Sequence, residues 1–113
     1  MTAAVARFTR YDMPNEEGET RRQRNIKFGQ PAPEVVVPPE GAHVWHWFWS
    51  LSNRRRSGPE ALSYAEVGEW QRLTHTPIRP EEVEMLMRMD DAYLAEVRKE
   101  QAAALDRQKE KSK

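Results

Sequence analysis

Three histidines, an acidic pair and a run of arginines are the residues of this chain best equipped for chemistry, and their spacing limits what they can do. His43 and His46 stand three apart, so on a helix both rings share one side and could hold a metal ion. The sequence offers no evident third ligand, and His75 lies apart between two threonines. They read as histidines flanking an aromatic core, and neither a metal nor another cofactor is expected. Asp90 and Asp91 are an acidic pair inside an apolar stretch, where one of them is expected to cap the core by pairing with an arginine such as Arg72 or Arg79. The five glycines are scattered rather than gathered into a phosphate-binding loop, and with no cysteine there is neither a thiolate nucleophile nor a disulfide. No catalytic constellation emerges, and the chain is not expected to be an enzyme.

Arg54, Arg55 and Arg56 follow a tryptophan-rich stretch, and arginines beside tryptophans can grip phosphates and stack on bases. Against this, Glu60, Glu66 and Glu69 lie close in sequence, and eighteen basic residues are balanced by eighteen acidic ones. The chain therefore carries no global field to draw in nucleic acid or anionic lipid. The bland reading of the run is a helix end, where cations complement the dipole. A small nucleic-acid-binding module using Arg54, Arg55 and Arg56 is the rival reading. A helix-turn-helix is disfavoured because its recognition helix would begin PEEVEML and repel the phosphate backbone.

The elements that must position these residues follow from hydrophobic spacing. VWHWFWSL, residues 44–51, holds three of the four tryptophans and a phenylalanine. Burying one such side chain is worth about 3 kcal/mol, too much to leave in water. Val44, Trp47, Phe48 and Leu51 fall on one broad face, with Trp45 and Trp49 beside them, so the spacing predicts a first helix over 42–55. SYAE at 63–66 matches a capping box and opens a second helix carrying Val67, Trp70 and Leu73. Gly68 in mid-helix suggests close packing beneath an aromatic of the first helix. IRPEEVEML restarts the chain with Pro80 at a first helical position, and a stripe through Leu86, Met89, Tyr93, Leu94 and Val97 makes a third helix. Met85, Met87 and Met89 point in widely separated directions, so they cannot all enter one core, and at least one is expected to be exposed.

The expected fold is all-α: a small three-helix protein-binding domain over 42–100, a disordered or extended Pro-rich arm over 1–41, and a charged helical tail over 101–113. Within the arm, Ile26 with Phe28, and Val35 to Val37, are short apolar islands, read as linker contacts or as a docking peptide that adds a strand to a partner. Val44, Phe48, Leu51, Val67, Trp70, Leu86 and Tyr93 are the expected core. Trp45, Trp49, Met85 and Met87 are the expected client surface, although a stripe does not tell which face is covered. No stretch approaches the ~18 apolar residues of a membrane span, and the N-terminus lacks the apolar region of a signal peptide. A soluble, cytoplasmic protein is expected.

The order of these features carries a resemblance. W-x-W-F-x-x-L from Trp45 to Leu51, an Arg-rich break, S-Y-x-E-V-x-E-W-x-R-L from Ser63 to Leu73, I-R-P-E-E-V-x-x-L from Ile78 to Leu86 and M-D-x-A-Y-L from Met89 to Leu94 together resemble the small helical tail assembly chaperones of tailed phages and prophages, encoded just before the tape-measure gene. The resemblance covers residues 43–97. It implies a non-enzymatic protein that binds the tape-measure protein and brings tail-tube subunits to it in an infected or lysogenic bacterial host. A minor structural component of the virion tail is the further alternative. The Pro-rich arm and the charged tail fall outside the family pattern, leaving open whether the chain acts alone or as part of a fused product.

Overall fold

The computed structural model describes residues 1–15, 17–55 and 60–112. Among them the chain forms five α-helices and no strand: α1 (Thr2–Tyr11), α2 (Arg21–Lys27), α3 (Ala42–Ser52), α4 (Tyr64–Thr74) and α5 (Pro80–Lys111), with a 3-10 turn at Pro39–Gly41 leading into α3. Val5, Val44, Phe48, Leu51, Leu62, Val67, Leu86 and Met89 form one buried cluster drawn from α1, α3, α4, α5 and the segment before α4. Of the expected core, Val44, Phe48, Leu51, Val67 and Leu86 are buried, while Trp70 and Tyr93 pack half-buried against them.

The expectation of three helices behind a disordered arm is corrected by α1 and α2. Helix α1 places Ala4, Val5 and Thr9 on one buried face and packs along α5. A ten-residue helix is marginal alone, so tertiary burial holds it: Val5 is wholly inaccessible to solvent. Met1 sits over the start of α3, where a Cβ on Gly41 would meet Met1 Sδ at 3.1 Å. Helix α2 buries none of its side chains and is held by its ends and its charges. Thr20 and Gln23 form a reciprocal capping box at 3.1 and 2.9 Å. At the other end Gly29 adopts a left-handed φ of +70°. The Gln30 N–H then donates back to the Asn25 carbonyl at 2.7 Å and the Gly29 N–H to Ile26 at 3.2 Å, a Schellman closure. Arg21 pairs with Glu100 of α5 at 2.9 Å, and Arg22 pairs with Asp12 at 2.8 Å. The apolar islands of the arm stay largely outside: Ile26, Phe28 and Val36 are exposed.

Helix α3 ends at Ser52, short of the expected residue 55, and this early end frees Arg55 to fold back over the core. Arg56 and Ser57 to Pro59 lie outside the described residues. Helix α4 starts as expected, the Ser63 hydroxyl accepting from the Glu66 N–H at 3.1 Å; the return bond runs from the Ser63 hydroxyl to the Glu66 carboxylate rather than from the Ser63 backbone. The close packing expected at Gly68 is not found, since a Cβ there would meet nothing within 4 Å among the described residues. Helix α5 runs unbroken for 32 residues, about 48 Å at 1.5 Å per residue. That length accounts for the long molecular axis of 51 Å.

Candidate functional site

The aromatic residues of α3 divide between three neighbours. Phe48 faces the centre and is fully buried, with Tyr93 of α5 6.1 Å away. Trp47 turns toward α4 and meets Trp70 edge-on at 6.1 Å. Trp45 and Trp49, one turn apart and 5.6 Å from each other, form the wall of a groove whose floor includes Tyr93, 5.9 Å from Trp49. Phe8 of α1 fills this groove, 5.7 Å from Trp45 and 4.8 Å from Trp49. Ring pairs at such separations prefer the edge-on geometry seen at Trp45. The four residues expected to form the client surface are all half-buried and in contact with the core, so neither Trp45, Trp49, Met85 nor Met87 stands free in solvent. Met89, the third of the alternating methionines, is fully buried.

The indole Nε1 of Trp49 and the hydroxyl of Thr9 are both buried without a hydrogen-bond partner among the described residues. Beyond Thr9 the end of α1, helix α2 and the Val97 to Ala104 stretch of α5 enclose a cleft of about 350 Å³, which Arg21 and Glu100 border.

The acidic pair resolves into one buried and one exposed residue. Asp90 is almost wholly buried and accepts from the Arg55 guanidinium and, at 2.8 Å, from the Leu62 N–H. Arg55 is further held by Ser52 Oγ at 3.0 Å and by the Glu60 carbonyl, and its guanidinium lies 4.5 Å from the Tyr93 ring centre. Neither Arg72 nor Arg79 is the partner: Arg72 pairs with Glu69 and Arg79 with Glu82. Of the arginine run, Arg54 is exposed and Arg55 is committed to the core, while Arg56 lies outside the described residues.

The histidines do not converge either. His43 Nε2 lies 2.6 Å from Glu82 Oε2, and His75 adopts a left-handed φ of 55° at the end of α4. Glu82 is buried at the start of α5, where its other oxygen accepts from the Arg79 backbone N–H at 2.9 Å. That backbone bond, with the bond from His43, holds the Glu82 carboxyl below the ordinary carboxylate range. An ionised carboxylate can only accept, so the His43 Nε2 carries the proton. Among the described residues no group of three or more His, Cys, Asp or Glu is placed to hold a metal ion.

The site is thus an aromatic cluster of Phe8, Trp45, Trp49 and Tyr93 beside buried charges that are paired, Asp90 with Arg55 and Glu82 with His43. A sequence profile of phage tail assembly chaperones matches residues 20–95. The chain belongs to the phage tail assembly chaperone family. The matched span of this family member contains α2, α3, α4 and the first half of α5, and α1 precedes it. No curated protein and no solved structure matches the chain significantly. No helix among the described residues is long and apolar enough to cross a membrane.

Proposed function

We propose that this chain is a non-enzymatic tail assembly factor that binds the tape-measure protein and brings tail-tube subunits to it, in the cytoplasm of an infected or lysogenic bacterial host. The family match over residues 20–95 is the observation that carries this reading. Chemistry supports it: a client rich in amphipathic helix presents an apolar anchor every three or four residues, and aromatic walls with adjustable methionines accept such anchors. Trp45, Trp49, Met85 and Met87 are the residues assigned to that contact. The nucleic-acid reading loses its central residue, because Arg55 is sealed against Asp90.

Co-expression with the tape-measure protein, followed by sizing chromatography with light scattering, tests the assignment. A soluble complex is expected, and Trp45→Ala combined with Trp49→Ala should weaken it by about tenfold or more, since aromatic anchors in a pocket carry a disproportionate share of binding energy. Circular dichroism must show the variant still helical; Met87→Gln provides a milder second variant. If the chain elutes alone while the tape-measure protein aggregates, the reading fails. Recovery of the chain in purified particles would make it a tail component instead, and salt-dependent retention on DNA would make it a nucleic-acid module.

A further inference from the structure

Helix α1 is an amphipathic helix that packs along α5 and, through Phe8, covers the two tryptophans that the proposed function assigns to the client. Its face of Ala4, Val5, Phe8 and Thr9 repeats at helical spacing, and Phe8 is the residue that touches both Trp45 and Trp49. Two observations mark α1 as an imperfect occupant. The buried side-chain polar atoms without partners among the described residues, Thr9 Oγ1 and Trp49 Nε1, lie on the docked face of α1 and beside Phe8 in the groove. The family match adds the second: α3 and the first half of α5 fall inside the matched span, whereas α1 lies before it.

We propose that α1 is an internal stand-in for the client, a helix that covers Trp45 and Trp49 until an amphipathic helix from the partner replaces it. The replacing helix carries a small residue, a branched residue and an aromatic residue at the spacing of Ala4, Val5 and Phe8, together with an acceptor for the Trp49 indole N–H. This deepens the proposed function and rests on it for the identity of the client, but not for the exchange itself. Because α1 competes within the chain, the free protein binds its partner more weakly than the open groove would, by the fraction of time the groove is uncovered.

Hydrogen exchange on the unchanged full chain is the first test. Amides of Val5 to Thr9 should exchange through local opening, faster than those of Val44 to Leu51 and of Leu86 to Leu94; equal protection, lost only with global unfolding, would overturn the proposal. The second test uses a fluorescent peptide of residues 1–14 as a substitute client. The Phe8→Ala full chain should capture it about tenfold more tightly than the unchanged chain, and adding Trp45→Ala and Trp49→Ala should abolish capture. Capture that survives loss of both tryptophans sinks the proposal, as does absence of capture by a folded Phe8→Ala chain. If Phe8→Ala does not fold, the exchange experiment decides alone. A chain that exchanges α1 for the peptide yet ignores the tape-measure protein keeps this inference and refutes the functional reading.

Discussion

At the scale of residues, two buried carboxylates set the conditions under which the fold holds. Asp90 and Arg55 are a desolvated pair 35 residues apart, satisfied by Leu62, Ser52 and the Glu60 carbonyl. Removing one member strands the other, so Asp90→Asn is expected to cost about 3 kcal/mol in urea unfolding, whereas Arg55→Met with Asp90→Leu should recover most of that loss. Additive losses in the double variant would contradict the pairing. Glu82 acts through pH. Its folded carboxyl titrates below its unfolded value, so the unfolded chain binds the proton first as pH falls. Its contribution is complete above the ordinary carboxylate value of about 4.3 and is lost as pH drops through the lowered one. Glu82→Gln should therefore flatten the acid limb of the stability profile while leaving its slope near neutrality unchanged. Neither role could be read from sequence alone: several arginines compete for Asp90 on paper, and only the turn after Ser52 brings Arg55 to it.

At the scale of elements, legibility followed the source of each helix's stability. Helices α3, α4 and α5 carry apolar stripes, and their starts at Ala42, Tyr64 and Pro80 stand where the spacing and caps place them. Helix α1 has a short stripe of small residues with one phenylalanine, which is too little pattern to separate from a polar arm; α5 supplies the burial that makes it a helix. Helix α2 did have a signal, T-x-x-Q at Thr20 to Gln23 with Gly29 behind it, but no apolar run follows the box, and such a run is what normally gives the motif its weight. Gly68 is a contrary case, a glycine read as a close approach that is open space. Gly68→Ala should consequently stabilise α4 by about 1 kcal/mol, the helix-propensity difference. A loss in thermal unfolding would contradict the open space around Gly68.

At the scale of the whole molecule, the radius of gyration of 16.0 Å exceeds the roughly 13 Å of a compact chain of this length. The excess comes from α5, whose first half packs on the core and whose second half is exposed apart from Glu96, Val97, Glu100 and Ala104. The groove at Trp45 and Trp49 was half legible: the sequence marks these tryptophans as surplus to a simple core but could not say that Phe8 would cover them. A helix about 48 Å long, with its base in the core and its far end in water, has the mechanics of a pointer. A tilt of about 10° at that base sweeps the tip through roughly 8 Å. A distance label near Lys111 would thus magnify whatever happens where Phe8 rests on Trp49.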